Sequence, residues 1–275
     1  MKIALYSREG IAPRDKRLSS MLERLERKSF SLYEIKGCND VQPGTDLVMS
    51  VGGDGTFLSA SQCVGESGIP ILGVNLGRLG FLSEYSPEEA CEALLSGGWY
   101  IEDRELLRTT VLGDLESDPT LYPYSLNEVA VHRSGAALLG IDVAIDGHPL
   151  PTYWADGLLV ATSSGSTAYS LSVGGPICAP EAKVLIIAPI APHNLNARPL
   201  VVPDTTKVSI SMRSRDGNVM LSMDNRNHLV KPSSRLDVVV AQFSLKRVRL
   251  ENTSFIKALT TKLFWGEDIR NSGEQ

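Results

Sequence analysis

The N-terminal part of the chain alternates short apolar runs with segments whose apolar residues have helical spacing. The apolar runs, which predict buried strands, are residues 2–7, 31–35, 46–51 and 70–75. The segments with helical spacing begin near Arg14, near Thr56 and at Ser86-Pro87. Because short links join strands and helices in alternation, the pattern predicts a doubly wound, mostly parallel sheet.

Near Asp103 the pattern changes to short strands with turn residues between them, such as the hairpin signals Asp146-Gly147 and Asp216-Gly217. The predicted strands are residues 106–114, 127–133, 140–146, 158–162, 183–188, 207–212, 218–223 and 235–241. A helix is predicted over residues 255–265, with an apolar face that could pack on the first domain. We therefore predict an α/β domain over residues 1–103, completed by residues 252–275, and an all-β sandwich over residues 104–251.

Composition narrows the classes of function. The 275 residues are 43% hydrophobic and 21% charged, which is typical of a soluble globular protein. The formal net charge of -5, without any dense Lys/Arg block, argues against general affinity for nucleic acids. No apolar run approaches the roughly 18 residues of a membrane span, and Met1 leads directly into a predicted strand without a signal peptide. We expect a cytoplasmic protein.

The cysteines give a prediction about redox state. Cys38, Cys63, Cys91 and Cys178 lie far apart, and the sequence contains no Cys-x-x-Cys pair. This spacing favours free thiols in a reducing compartment over a disulfide framework or a zinc site.

The strongest candidate for chemistry is Gly52-Gly53-Asp54-Gly55-Thr56, between a predicted buried strand and a predicted helix. Its glycines let the backbone approach a ligand closely, and the helix directs free N–H groups to the same place, which favours phosphate binding. Asp54 points to catalysis as well, since a carboxylate beside a phosphate is repulsive unless a metal ion or a proton transfer makes use of it. The alternative is that Asp54 or Thr56 caps the helix, and the two roles can coexist.

A second polar constellation lies within the predicted β domain. Residues 156–172 combine Asp156 and Tyr169 with seven Ser or Thr side chains. Hydroxyl and N–H groups at this density suit the sugar and phosphate oxygens of a nucleotide; the alternative is a serine-rich surface loop around a core tyrosine. Asn127 and Glu128 could hold an adenine or ribose edge, and the alternative for that pair is a turn cap.

Together and in this order, these segments resemble the NAD kinases, which phosphorylate the adenosine ribose 2′-hydroxyl of NAD to make NADP. The resemblance covers residues 52–56, 73–82, 126–128, 156–176 and 192–200, thus most of the chain. The Gly-Gly-Asp-Gly-Thr element alone is less specific, since lipid kinases of the diacylglycerol type and phosphofructokinases carry similar versions. The resemblance implies an α/β domain joined to a β-sandwich, with the C-terminal segment returning to the first domain.

The resemblance also implies roles for individual residues. Asp54 would be the general base for the ribose hydroxyl, with the γ-phosphate of ATP as donor and Mg²⁺ or another divalent ion bound with the ATP. The glycine-rich element would hold the donor phosphates through Gly52, Gly53, Gly55 and Thr56. The residues implied at the NAD site are Asp54, Gly55, Phe81, Asn127, Glu128, Asp156, Thr167, Ala168, Tyr169, Ser170, Leu171, Ser172 and Arg226. A homodimer or homotetramer is implied too.

Alternative functions stay open on the sequence. A lipid kinase of the diacylglycerol type would share the glycine-rich element but would need an apolar acyl channel. A catalytically inactive NAD(P)-binding sensor would keep the pocket, and the presence of Asp54 disfavours it. The sequence contains neither a P-loop nor a Gly-x-Gly-x-x-Gly fingerprint. It leaves open whether polyphosphate can replace ATP and whether NADH can replace NAD.

Overall fold

The structure is a computed structural model of the chain that describes residues 1–8, 15–77, 80–113, 121–251 and 253–265. Several sequence expectations fall partly outside the described residues. They are the start of the first helix at Arg14, the turn residues Arg78 and Leu79, the strand end at Asp114, and residues 252 and 266–275 of the returning segment.

The chain divides into two compact units, residues 1–103 with 246–275 (unit 1) and residues 104–245 (unit 2). The helices are α1 (Lys16–Arg27), α2 (Asp54–Val64), α3 (Pro87–Ser96), α4 (Tyr169–Ser172) and α5 (Phe255–Leu263). The strands are β1 (Lys2–Tyr6), β2 (Ser31–Ile35), β3 (Leu47–Val51), β4 (Ile71–Val74), β5 (Trp99–Arg104), β6 (Leu107–Leu112), β7 (Tyr124–Ser125), β8 (Glu128–Arg133), β9 (Leu139–Ile145), β10 (His148–Pro149), β11 (Tyr153–Ala155), β12 (Gly157–Thr162), β13 (Val184–Ile190), β14 (Leu200–Pro203), β15 (Val208–Arg213), β16 (Val219–Met223), β17 (Arg226–Val230), β18 (Arg235–Val240) and β19 (Leu245–Leu250).

Unit 1 is built around one sheet with the strand order β2-β1-β3-β4-β19-β5. Parallel pairing joins β1 to β2, β1 to β3, β3 to β4 and β4 to β19. The apolar runs at β3 and β4 are buried along their whole length, as expected for central strands covered on both faces. The predicted α/β domain with a mostly parallel sheet is therefore confirmed.

Capping residues determine where α1 and α3 of unit 1 begin. The Asp15 side chain accepts hydrogen bonds from the N–H groups of Arg17 and Leu18 and so caps α1. Ser86 and Glu89 form a capping box at the start of α3, with Pro87 in its first turn. Over the described ranges, no helix combines the length and the apolar character needed to cross a bilayer.

Unit 2 is a sandwich of antiparallel sheets, which confirms the predicted all-β fold. One sheet has the order β10-β9-β15-β18-β6-β7, with β11 also pairing with β9, and the other has the order β14-β13-β12-β8-β16-β17. Alternate residues of both sheets form one apolar core, in which Val131, Ile141, Val160, Ile210 and Val238 are at most 1% exposed.

Two sequence interpretations within the β region need correction. Asp216-Gly217 is not a hairpin turn, because β15 and β16 belong to different sheets; the Asp216 carboxylate instead accepts from the N–H of Ala137. Residues 245–250 were assigned to the β domain, but β19 lies in the first sheet, between β4 and β5. A central strand lacks the polar alternation that reveals its sheet, and β19 also buries Arg247 and Arg249.

The cysteine expectation is correct only in part. Cys38 and Cys63 form a disulfide, whereas Cys91 and Cys178 are free thiols. Cys38 lies in a short 3-10 turn after β2, and Cys63 lies in the last turn of α2. Their sequence separation of 25 residues gives no local signal, because the pairing depends on how this turn packs on the helix.

Candidate active site

The glycine-rich element follows the buried strand β3 directly. The Gly52 N–H donates to the Val74 carbonyl at 2.8 Å, which fixes the element to the neighbouring strand. Gly52 has a φ of +148°, and a Cβ at this position would lie 2.4 Å from Thr56 Oγ1, so the turn requires glycine. Gly53 is the N-cap residue of α2, without a side-chain cap; capping by Asp54 or Thr56 is therefore not observed.

The Asp54 carboxylate is held by the loop that follows β4. Oδ2 accepts from the N–H of Phe81 at 2.9 Å, and Oδ1 accepts from the N–H groups of Leu82 and Ser83 at 3.0 and 2.9 Å. A Cβ on Gly80 would lie 2.0 Å from Asp54 Oδ1, so the loop can come this close only because residue 80 is glycine. These charge-assisted hydrogen bonds fix the direction of the carboxylate.

Phe81, which the resemblance implies at the NAD site, lies beside Asp54 in unit 1. Its main chain binds Asp54, and its half-buried ring lies 5.1 Å from Lys262 Nζ. The structure thus brings together the glycine-rich element, the proposed base and the aromatic residue. Lys262 was not singled out from the sequence, where nothing distinguishes it from other lysines.

In unit 2, the backbone of the Asn127–Glu128 segment is held by a second aspartate. Asp224 has a φ of +51° in the turn between β16 and β17. Its carboxylate accepts from the N–H groups of Leu126 and Asn127 at 2.8 Å and of Glu128 at 3.2 Å. The sequence analysis does not single out Asp224, although Asp-Asn directly after the predicted strand of residues 218–223 is a turn signal that could have drawn attention to it.

The environment of Glu128 keeps this carboxyl protonated near neutral pH. Its pKa is raised to about 8, mainly by burial and also by the neighbouring Asp224, while the Tyr169 N–H acts in the opposite direction. Burial also raises the pKa of Asp224, but the N–H groups of residues 126–128 and the Arg226 guanidinium stabilise its charged form. The three N–H donors on Asp224 thus favour its charged form, whereas Glu128 is the carboxyl whose pKa lies above neutral pH.

The hydroxyl-rich segment packs against the same place, and several of its hydroxyls stabilise the protein itself. Thr162 Oγ1 donates to the Leu126 carbonyl at 2.7 Å, Ser163 Oγ donates to the Pro180 carbonyl at 2.9 Å, and Ser166 Oγ accepts from the Cys178 N–H at 3.0 Å. Ser170 differs, since its buried Oγ has no hydrogen-bond partner in the described parts of the chain. Part of the Ser/Thr density thus stabilises the segment itself, but these side chains are buried, unlike those of the serine-rich surface loop that was the alternative.

Tyr169 lies at the start of α4, within this segment. Its ring stacks on His132 with the centroids 5.6 Å apart, and its N–H is directed to Glu128. Tyr169, Glu128 and Asn127 therefore form one neighbourhood in unit 2, with residues 167–172 around it. This is the grouping that the resemblance implies for the NAD site.

Asp156 and Arg226, which are also predicted at the NAD site, both form contacts within the protein. Asp156 forms an ion pair with Arg133 at 2.6 Å, on the half-exposed surface of unit 2. Arg226 donates to the carbonyls of Tyr122 and Tyr124 at 2.6 and 2.5 Å, and its guanidinium lies 5.1 Å from the Tyr122 ring. These contacts hold Arg226 in the protein and leave its weakly implied contact with NAD as a prediction.

A magnesium ion fits this site only as a companion of the donor phosphates. Within the described ranges, no group of His, Cys, Asp and Glu side chains could form a metal cage. Mg²⁺ usually keeps several waters and binds through substrate phosphates in phosphotransferases, so it does not need such a cage.

Comparisons with known proteins cover both units. Models of the ATP-NAD kinase N-terminal domain and of the ATP-NAD kinase C-terminal domain match residues 9–96 and 126–250. An NAD kinase of Bacteroides fragilis is 45% identical over 231 residues, which cover 82% of this chain and 78% of that protein. An NAD kinase of Flavobacterium psychrophilum is 42% identical over 253 residues, which cover 90% of this chain and 86% of that protein.

Solved structures share the fold. A yeast NADH kinase complexed with NADH gives a TM-score of 0.84 at 23% identity and covers 98% of this chain and 89% of its own. An NAD kinase from Archaeoglobus fulgidus in complex with ATP gives a TM-score of 0.77 at 25% identity, covering 96% and 99%. None of these proteins supports the lipid-kinase or sensor alternative. The matches along both units therefore identify the chain as a member of the ATP-NAD kinase family and as a phosphotransferase that phosphorylates NAD.

Proposed function

We propose that Asp54 is the general base of this NAD kinase, and that it takes the proton of the adenosine ribose 2′-hydroxyl through Oδ2. The observation that carries the proposal is the unequal use of the two carboxylate oxygens. Among the described residues, Oδ1 accepts from Leu82 and Ser83, whereas Oδ2 accepts only from Phe81. Since each carboxylate oxygen offers about two acceptor sites, Oδ2 retains one for a substrate hydroxyl.

Asp54 accepts this proton as the ribose oxygen bonds to the γ-phosphorus of ATP and ADP leaves. Phosphoryl transfer asks for little covalent help from a protein, so positioning and charge neutralisation supply most of the rate. The glycine-rich turn and the first N–H groups of α2 hold the donor phosphates, through Gly52, Gly53, Gly55 and Thr56. A divalent ion bound with ATP would neutralise part of the phosphate charge.

In unit 2, the dinucleotide is bound by the neighbourhood of Asn127, Glu128 and Tyr169, with residues 167–172 around it. The support is chemical: a buried, protonated Glu128 can donate a hydrogen bond, and its Oε2 and the Ser170 hydroxyl have no partner among the described residues. Buried polar atoms of this kind favour a polar ligand, because a ligand would satisfy them. Phe81 and, more weakly, Asp156 and Arg226 complete the proposed NAD contacts.

The assembly and the location of the enzyme belong to the same proposal. The family resemblance supports a homodimer or homotetramer, with ATP as donor and NAD as acceptor; the cytoplasmic location stays a prediction from the sequence. NADP formation from NAD and ATP with magnesium, repeated with polyphosphate and with NADH, determines the donor and acceptor range.

The variant Asp54→Asn tests the assignment of the base. An amide cannot take the proton, so kcat should fall by about 10²–10⁴-fold, the usual contribution of a general base. NAD affinity, measured by calorimetry, should fall far less than kcat, because Asn keeps the shape of the side chain and its carbonyl oxygen can still accept from Leu82 and Ser83, although its NH2 group faces the Phe81 N–H. A variant with nearly full kcat would refute the assignment.

A further inference from the structure

We propose that Lys262, on α5 of unit 1, is a positioning residue for phosphoryl transfer, which acts through the loop of residues 80–84 on Asp54 and Phe81. The inference rests on the proposed role of Asp54 as the base. It concerns a residue that touches neither the acceptor hydroxyl nor the donor in this scheme. Its effect on the reaction would come entirely from where it holds the loop.

Lys262 contacts the loop at several points. Its Nζ donates to the Gly80 carbonyl, pairs with Glu84 Oε1 at 3.2 Å and lies 5.1 Å from the centre of the Phe81 ring. Gly80 is the residue whose missing Cβ allows the loop to approach Asp54. One ammonium group thus restrains the loop at the residue that permits the approach and at the aromatic ring beside the base.

A buried ionic cluster also holds this loop. Arg247 on β19 donates to the carbonyls of Phe81 and Leu82, each at 3.0 Å, and pairs with Glu84 at 2.9 Å. Arg249 pairs with Glu84 at 3.2 Å. The carbonyls of residues 80–82 therefore bind cations, whereas the N–H groups of residues 81–83 bind Asp54.

The cations on the carbonyl oxygens of residues 80–82 polarise the peptide groups whose N–H groups bind Asp54. A cation on a carbonyl oxygen strengthens the hydrogen bond that the same peptide group donates, because hydrogen bonds in a chain polarise one another. Lys262 binds the carbonyl of Gly80, whose peptide group carries the N–H of Phe81, and this N–H is the donor to Asp54 Oδ2. The path from Lys262 to the proposed proton acceptor is therefore one peptide group long.

The charges of the cluster support one another. Burial by itself would raise the pKa of the Glu84 carboxyl, but Arg247, Arg249 and Lys262 together hold it below its ordinary value. Burial lowers the pKa of the Lys262 ammonium, and Glu84 is the main opposing influence. Glu84 is thus the shared counter-ion of Arg247, Arg249 and Lys262.

Lys262 can be replaced more safely than Arg247. The Arg247 side chain is 2% exposed, so its loss would leave Glu84 without its nearest buried partner and would endanger folding. Lys262 lies instead on the wall of a cleft of about 460 Å³ between α5 and the start of α3, which Glu84, Tyr85, Thr253 and Lys257 also line. Water from this cleft can solvate Glu84 when Lys262 is replaced.

The test is Lys262→Met, which keeps the length and the apolar stem of the side chain but removes the ammonium. We expect kcat to fall about 10- to 100-fold, because small displacements of a reacting group cost rate on this scale. KM for NAD should rise by much less than kcat falls, because only Asp54 and Phe81 of the proposed NAD contacts lie at this loop and the contacts in unit 2 are unchanged. Lys262→Arg can still bind the Gly80 carbonyl and pair with Glu84, and it should recover most of kcat.

Lys257→Met is the matched control, as Lys257 lies on the same helix and the same cleft but is exposed. It should leave kcat unchanged. If Lys262→Met lowers kcat no more than Lys257→Met does, or if Lys262→Arg is as slow as Lys262→Met, the positioning role is refuted. A melting temperature close to that of the wild type for each variant separates these results from unfolding.

A double variant separates this inference from the proposal on which it rests. If Lys262 acts through Asp54, Lys262→Met should reduce the residual rate of Asp54→Asn by less than about twofold, because the target of the positioning is already absent. Full additivity of the two losses would overturn the inference. An Asp54→Asn variant with normal kcat would refute the base assignment instead, whatever the result for Lys262.

Discussion

Two aspartates in this enzyme are bound in the same way but have different surroundings. Asp54 and Asp224 each accept hydrogen bonds from the N–H groups of consecutive residues, 81–83 and 126–128. Asp54 stands at a helix start near Lys262 of the returning segment, whereas Asp224 lies near Arg226 and next to the buried Glu128. Asp54 Oδ2 retains an acceptor site for a substrate hydroxyl, whereas Asp224 helps to keep Glu128 protonated.

Glu128 should make the stability of the enzyme depend on pH. Its pKa is about 8 in the folded protein and near 4.5 in an unfolded chain. Between these values the unfolded state has lost the proton that the folded state keeps, so stability falls as pH rises through this window. The slope from this group is at most about 1.4 kcal/mol per pH unit.

Glu128→Gln tests this linkage, because the amide is neutral at every pH and has nearly the same shape. In urea unfolding without NAD, wild type and variant should be similar near pH 5. The variant should become progressively more stable than the wild type up to about pH 8. A difference in unfolding free energy that is the same at pH 5 and pH 8 would show that Glu128 is ionised in the folded enzyme.

At the scale of single elements, the sequence predicts those strands and helices whose signals lie within a few neighbouring residues. The apolar runs at β3 and β4 and the capping residues of α3 are signals contained within a few residues, and the structure has these elements where they were expected. The grouping of Asp54 with Phe81 was available from the family resemblance. The hydrogen bonds that join them were not, since they depend on the close approach that Gly80 allows.

Features fixed by contacts between distant segments could not be predicted. The sequence pattern does not predict β19 as a strand, since three of its six residues are Lys or Arg; the ion pairs of Arg247 and Arg249 with Glu84 explain why it can be central. In the sequence, nothing distinguishes Asp224 from other acidic turn residues. Only the structure shows that its carboxylate accepts from the N–H groups of residues 126–128. The disulfide between Cys38 and Cys63 likewise depends on the packing of two segments that are distant in the sequence.

This disulfide gives a prediction for the element that it anchors. It ties the 3-10 turn after β2 to the last turn of α2, across 25 residues of sequence, and a closed loop of this length stabilises a protein by about 3 kcal/mol. Dithiothreitol should therefore lower the urea midpoint of the wild type but not that of Cys38→Ser. Cys178→Ser, which removes a free thiol, should remain sensitive to dithiothreitol. Insensitivity of the wild type would show that the bond contributes no stability.

At the scale of the whole molecule, the units differ in how the chain builds them. Unit 2 is one continuous segment, residues 104–245, with its own apolar core. Unit 1 is assembled from residues 1–103 and 246–275, and its sheet contains β19 between β4 and β5. Its core also includes Val248 and Leu250 from the returning strand. Unit 1 is thus complete only after the rest of the chain has been made.

Three fragments test this dependence. Residues 104–245 should fold alone with a cooperative urea transition, since their core needs no other segment. Residues 1–103 should not, because β4 and β5 lose the strand between them and Glu84 loses its cations Arg247, Arg249 and Lys262. Joining residues 246–275 to residue 103 through a flexible linker of about ten Gly and Ser residues should restore cooperative unfolding. If residues 1–103 unfold as cooperatively as the joined fragment, β19 and the ionic cluster are dispensable for unit 1, and the loop around Asp54 must be held by the first segment alone.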